Sequence, residues 1–274
     1  MYSKVIIILG IGKSGTSLLS KILHKNKQIK KEIVFNPLEF LKTKKKININ
    51  TYDFYENIEL KNINKNILQK EKKNILNHNV LKLNKNLEDL IEKKNFRSNI
   101  KFLFLKKKEI IFKDPRTLIN FEFWDKNILY KDFICIFRNP YDFCGRYLRI
   151  FITKKKKNIN YKSKFILSLK RQIIYEFRKV TLIFQLLRSW YLYNNKILKL
   201  LEKKKIKFIV CYEDLYLLKP YVNVKINKVK KSPKNFYILL GKLYCKFLVG
   251  DIDKLYFKLL SWSKKNKTTK ILNI

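Results

Sequence analysis

The stretch Lys4–Leu23, KVIIILGIGKSGTSLLSKIL, decides how the rest of the chain is read. Val5 to Leu9 are uninterrupted branched or long apolar residues, and Gly10 ends the run. A short apolar run closed by glycine reads as a parallel strand buried on both faces. Gly10, Gly12 and Gly15 then alternate with Lys13, Ser14, Thr16 and Ser17, after which Leu18, Leu19, Ile22 and Leu23 recur at helical spacing. Strand, glycine-rich turn and helix start together aim backbone N–H groups and a positive helix end at a phosphate. Glycine lets the backbone approach the anion, the hydroxyls donate, and Lys13 supplies charge. The turn is not the G-x-x-x-x-G-K-[ST] loop, because Thr16 follows Gly15 and the lysine stands two places before that glycine. The G-x-G-x-x-G spacing of Gly10, Gly12 and Gly15 is a weak dinucleotide signal, since no acidic residue closes an obvious second strand about twenty positions on.

A chain of 274 residues can bury a sizeable core. One α/β domain over 1–274, with a basic tail from about 263, is the natural division. The 46% hydrophobic content excludes a disordered chain. The balance of 63 Lys+Arg against 21 Asp+Glu gives a net charge of +42. Such a charge points to a polyanion partner: nucleic acid, anionic membrane or sulfated glycan. It also follows from codon bias, because Lys, Asn and Ile dominate, alanine is absent, and Gly and Pro number only 6 and 5. Those three dominant residues have A/T-rich codons, so a base-composition drift spreads lysine through every segment. We read most of the excess this way, and the runs at Lys44–Lys46, Lys154–Lys157 and Lys203–Lys205 as solvated loop or helix-end charge.

Exceptions to that bias carry information. Arginine occurs eight times, and four of these are Arg116, Arg138, Arg146 and Arg149. Where lysine is the default cation, a local run of arginines marks sites that need a planar fork for phosphate or carboxylate. Cys135, Cys144, Cys211 and Cys245 have no metal-like spacing and read as buried thiols in a reducing compartment. With only two histidines, His24 and His78, no His-based metal site is expected. The first apolar run is too short for a signal peptide, and no stretch approaches a membrane span, so the expected location is cytoplasmic.

Further strands are expected at Ile110–Phe112, Asp132–Phe137 and Ile206–Cys211, each ending in a chemically distinctive segment. Lys113-Asp114-Pro115-Arg116 follows the first, ahead of a helix beginning within Thr117–Trp124. Arg138-Asn139-Pro140-Tyr141-Asp142 follows the second, ahead of a helix over Phe143–Ile150. Tyr212-Glu213-Asp214-Leu215 follows the third. Phe165–Glu202 reads as one long helix or a pair, with Trp190 opening a W-x-x-Y spacing, and Phe236–Trp262 as one or two apolar helices. Amphipathic helices are expected at Ile58–Leu76 and Val80–Lys93, and a basic loop over Asn223–Ser232.

Taken in order, these segments resemble the sulfotransferases that use 3'-phosphoadenosine 5'-phosphosulfate (PAPS), the bacterial type in particular. The loop G-K-S-G-T-S is similar to the family's 5'-phosphosulfate loop. Phe54-Tyr55-Glu56-Asn57 with Asn64 to Leu68 looks like a family element that usually begins with glycine, which is missing here. K-D-P-R, R-N-P-x-D and Y-E-D-L complete the resemblance, which covers about half of the chain.

The resemblance implies a three-layer, P-loop-like α/β fold with a mostly parallel central sheet and helices on both faces. It implies nucleotide binding by Gly12, Lys13, Ser14, Gly15, Thr16 and Ser17 at the 5'-phosphate, and by Arg138 at the 3'-phosphate. The family's serine eight residues on is replaced by Arg146, which either supplies a fork or marks a changed site. Tyr212 would lie against the adenine. Lys13 would neutralise charge on the bridging oxygen, with Glu56 the first choice of base and Asp114 the second; Glu39 is also open. The expected reaction moves a sulfuryl group from PAPS, without a metal, to a hydroxyl or amine of a carbohydrate or small molecule. No specific nucleic acid is expected. Acceptor pockets in the family are built by variable segments, here Ile29–Asn50, Asn95–Lys108 and Thr153–Lys164. Three other readings stay open: a degenerate, inactive nucleotide-binding protein of the same fold; a nucleotide-dependent phosphotransferase, against which the missing lysine after Gly15 argues; and a basic polyanion-binding module.

Overall fold

A computed structural model describes residues 4–25, 64, 109–156, 165–221 and 236–266. Among these, strands β1 (Lys4–Leu9), β2 (Glu109–Lys113), β3 (Lys131–Phe137) and β4 (Phe208–Cys211) form one sheet in the order β2-β1-β3-β4, with every pairing parallel. The helices are α1 (Thr16–Lys25), α2 (Phe121–Asn127), α3 (Pro140–Lys156), α4 (Phe165–Glu202), α5 (Phe236–Leu248) and α6 (Ile252–Asn266). Turns of 3-10 helix cover Pro115–Leu118 and Tyr212–Tyr221. The expected helices at 58–76 and 80–93, the basic loop at 223–232 and the segments 29–50 and 95–108 lie outside the described residues, Asn64 excepted.

The apolar run of β1 is explained by what covers it. Val5 to Leu9 are fully buried, and alternate side chains enter different cores. Ile6 and Ile8 pack with Leu19, Ile22 and Leu23 of α1 and with Leu215 and Leu218. Val5, Ile7 and Leu9 pack with residues of all the later helices, including Trp124, Phe143, Trp190 and Leu259. A strand with both faces covered has no polar positions to alternate with. Complete burial of each Ile or Leu contributes about 2 kcal/mol, so this strand anchors both layers. The molecule is therefore an α/β fold with helices on both faces of a parallel sheet.

Several boundaries differ from expectation for local reasons. The helix foreseen within Thr117–Trp124 is split into a 3-10 turn and α2. Asp114 caps the turn by accepting from the Arg116 N–H, and Asn120, at the start of α2, gives its amide to Asn64 instead of capping. Helix α3 begins earlier than expected because Asn139 is its cap: its Oδ1 accepts from the N–H groups of Tyr141 and Asp142. Pro140 at the first helical position loses nothing by lacking an N–H. β4 begins later than Ile206, although the Lys207 N–H already donates to the Phe133 carbonyl. At the chain's end α6 continues through Asn266, and Ser263, at the expected start of the basic tail, is buried with its hydroxyl accepting from the Cys211 N–H.

All four cysteines are free and buried. Burial pushes the Cys135 and Cys144 thiols well above their ordinary range and Cys245 up to about 11. Cys211 is raised by burial and by the Glu213 carboxylate that accepts its S–H at 2.9 Å. Thiolate is the reactive form, so the folded protein should be nearly inert to a thiol-specific reagent at mildly alkaline pH. Denaturant should release all four thiols together. A rapidly titrating thiol before unfolding would contradict this packing.

Candidate functional site

The strand order places the site. β1 is flanked by β2 on one side and β3 on the other, so chain connections diverge at the C-terminal ends of β1 and β3. Open parallel sheets leave a crevice at such a point. The loop from Gly10, the Asp114 turn, Arg138 and Tyr212 all follow the C-terminal ends of strands at this edge.

The loop after β1 is held in an unusual shape. Lys13 has φ 69° and is one of two non-glycine residues with positive φ among those described. A lysine in the left-handed region costs about 1 kcal/mol, which surrounding contacts must hold in place. The Ser14 N–H closes a tight turn onto the Ile11 carbonyl, and Gly15 receives the Leu19 N–H as α1 begins. Gly15 has φ 106°, and a Cβ there would stand 2.1 Å from the Tyr212 ring. Only glycine fits against that ring. The first turn of α1 contains no acidic residue, so the positive helix end is uncompensated by its own sequence. Lys13 is exposed, whereas Ser14 is buried and its Oγ has no hydrogen-bond partner.

Arg138 is the strongest feature of the site. It sits one residue beyond β3 and is only 6% exposed. Its guanidinium lies over the Tyr212 ring, 4.3 Å from the centroid, and its Nε stands 4.0 Å from Glu213 Oε1. That spacing is an ion pair but exceeds hydrogen-bond reach. Nε and Nη1 are both buried without a partner. Glu213 Oε1 accepts instead from the Asn139 N–H at 3.1 Å, and Oε2 from Cys211. Burial raises the Glu213 carboxyl above the ordinary range, against the pull of these donors and of Arg138. From behind, the Trp190 indole donates to the Arg138 carbonyl at 2.8 Å and fixes the end of the strand.

The Asp114 turn is saturated. Asp114 is 1% exposed, and its carboxylate accepts from the Arg116 N–H, from Arg116 Nε on both oxygens, and from Asn64 Nδ2. Asn64 also donates to Thr117 and accepts on Oδ1 from Asn120 and from the Trp124 indole. Two amide hydrogens and two carbonyl lone pairs are thus all used. Pro115 lies 4.0 Å from where a Gly12 side chain would begin, so this turn abuts the loop.

The structure therefore brings together the loop, the Asp114 turn, Arg138 and Tyr212. Arg146 is exposed on α3, next to Tyr147, whose hydroxyl donates to the Gly12 carbonyl at 3.4 Å. Glu56 and Glu39 lie outside the described residues. Two tyrosines escaped the sequence reading as site residues. Tyr147 carries no motif signal. Tyr193 completes the W-x-x-Y spacing from Trp190; it is buried in α4, its hydroxyl has no partner, and burial and the nearby Asp114 charge raise it. Among the described residues no group of three or more His, Cys, Asp or Glu side chains is placed to hold a metal.

No protein-family model matches the chain, nor does any curated protein. Among solved structures it is similar to a sulfotransferase domain from the curacin biosynthetic pathway, at 14% identity and a TM-score of 0.38. The match spans 97% of this chain and 91% of that one.

Proposed function

We propose that the chain binds PAPS at this edge of the sheet and transfers its sulfuryl group to a hydroxyl or amine. The observation that carries the proposal is Arg138: a buried cation with two nitrogens that make no hydrogen bond, at a topological switch point, beside a glycine loop at a helix N-terminus. A buried guanidinium whose Nε and Nη1 make no hydrogen bond costs folding energy, and a doubly charged phosphate is a ligand that would supply the missing acceptors. The unpaired Ser14 Oγ beneath the loop and the first amides of α1 fit a second phosphate group. The sequence of K-D-P-R, R-N-P-x-D and Y-E-D-L motifs gives independent support for this nucleotide.

In the proposed reaction the S–O bond to the bridging oxygen breaks while a bond from sulfur to the acceptor oxygen or nitrogen forms in line with it. The acceptor proton passes to a base, and 3'-phosphoadenosine 5'-phosphate leaves. The amides and hydroxyls from Gly12 to Ser17 hold the 5'-phosphate end. Lys13, exposed at the loop tip, neutralises charge on the departing oxygen. Arg138 grips the 3'-phosphate, with Arg146 at the outer rim, and Tyr212 orders the adenine end. The base is assigned to Glu56, because the Asp114 oxygens are already committed to Arg116 and Asn64.

Calorimetric titration with 3'-phosphoadenosine 5'-phosphate, alongside ATP and AMP, tests this reading. Saturable one-to-one binding that requires the 3'-phosphate is expected. Lys13→Ala should weaken that binding roughly tenfold, the loss of one charge-assisted contact, while leaving the melting temperature of the free protein unchanged, because Lys13 is exposed and alanine carries the same Cβ at its positive φ. Equal binding of every nucleotide, abolished by moderate salt, would mean that bulk charge alone attracts them and would overturn the proposal.

A further inference from the structure

Helix α5, FYILLGKLYCKFL, is apolar on nearly every side. Such a helix normally lies inside a large core or a membrane. Here it buries only a narrow stripe against α4: Ile238, Gly241 and Cys245, with a Gly241 Cβ only 2.7 Å from Ile183. Leu239, Leu243, Tyr244, Phe247 and Leu248 are 55, 47, 55, 84 and 69% exposed. At 3.6 residues per turn these five positions and Leu240 span about half of the helix circumference. Five large apolar side chains in one continuous arc exceed the scattered apolar exposure of an ordinary surface. The buried stripe faces the opposite way, so the arc is convex.

We propose that α5 seats the protein on an anionic lipid surface, lying in the interface with this arc among the acyl chains. Two observations select that occupant. A chain of net charge +42 repels a second copy of itself, which disfavours a homodimer across the arc. Residues 236–266 carry six lysines against two aspartates; Lys246 is exposed and, at helical spacing, borders the arc beside Leu239, and Lys254 and Lys258 are exposed on α6. A convex apolar face bordered by lysine is the form of an interfacial helix. No described helix is long and apolar enough to cross a membrane, so the attachment is peripheral. The inference is independent of the nucleotide reading.

Sedimentation with phosphatidylcholine vesicles, with and without phosphatidylglycerol, tests it. The wild type should pellet with the mixed vesicles and retain part of that binding in high salt. The double variant Leu243→Gln/Phe247→Gln should partition at least roughly tenfold more weakly, because its lost contacts are apolar. Its melting temperature should not fall, since both residues are exposed. As a second readout, Phe247→Cys carrying an environment-sensitive fluorophore should brighten on mixed vesicles; the buried native thiols leave the new one to be labelled alone. Failure of the wild type to pellet, equal pelleting of wild type and double variant, or a wild-type dimer that the variant dissociates would each overturn the proposal.

Discussion

Replacing Arg138 with methionine should abolish recognition of the 3'-phosphate while leaving the free protein as stable as before, or more so. The two halves of this expectation come from one environment. Arg138 is buried with no hydrogen bond at Nε or Nη1, held by stacking on Tyr212 and by a 4.0 Å ion pair with Glu213. A desolvated cation so poorly compensated is a burden on the fold, and a methionine of similar length can take its place over the ring. Opposing that gain, Glu213 loses its neighbouring positive charge, and its already raised carboxyl should rise further. The linkage sign is clear: a carboxyl raised in the folded state favours the protonated form, so its contribution to stability falls as pH increases above its unfolded value. The variant should therefore gain most at mildly acidic pH and less at neutral pH, a difference that urea titrations at two pH values would read. Binding should change far more. Two charge-assisted hydrogen bonds in a buried site are worth about 3 kcal/mol, a loss of roughly a hundredfold in affinity for 3'-phosphoadenosine 5'-phosphate. The rise in melting temperature that this nucleotide gives the wild type should vanish. A variant that melts far below the wild type yet still prefers the 3'-phosphate would show that Arg138 serves the fold.

Much of this arrangement could be read from the chain because the informative elements are local. Val5–Leu9 announces a strand by its own composition, and Gly10–Ser17 announces the turn that follows. Asn139-Pro140 marks where β3 stops and α3 begins, through the preference of asparagine for the cap and of proline for the first turn. The 38 residues of α4 keep one helical period throughout, and the chain offers nothing to break them. What escaped depends on contacts between distant residues. Nothing near Lys13 announces a left-handed lysine, which follows from the path that the loop takes between Tyr147, Pro115 and Tyr212. Glu213 becomes the partner of Arg138 only when β3 and β4 lie side by side. The resemblance offers Asp114 as the second choice of base; Asn64, fifty residues away, supplies one of the donors that occupy it.

That same Asn64 leads to the largest stability effect expected. Asn64→Leu should destabilise the protein by about 3–4 kcal/mol, enough to unfold a marginal domain near physiological temperature. The side chain is fully buried and all four of its hydrogen bonds go to buried partners. Leucine keeps the branched skeleton and is larger than asparagine, so the cost is not a cavity. It is the desolvation of groups left behind: the Trp124 indole N–H and an Asn120 amide hydrogen lose their acceptor. One Asp114 oxygen and the Thr117 hydroxyl lose a donor as well. Each orphaned group costs about 1–3 kcal/mol where it cannot reach water, with partial relief as neighbours shift. Asn64→Asp should be worse, because it sets a second carboxylate against Asp114 at hydrogen-bond distance and removes the donor that joined them. Only protonation of one of the two acids would relieve the repulsion, so the aspartate variant should recover stability as the pH is lowered whereas the leucine variant should not. Chemical denaturation of both variants across mildly acidic and neutral pH would separate these causes. Equal losses at every pH would place the penalty in packing, and a loss below about 1 kcal/mol in the leucine variant would mean that the network is not what holds the Asp114 turn against the loop.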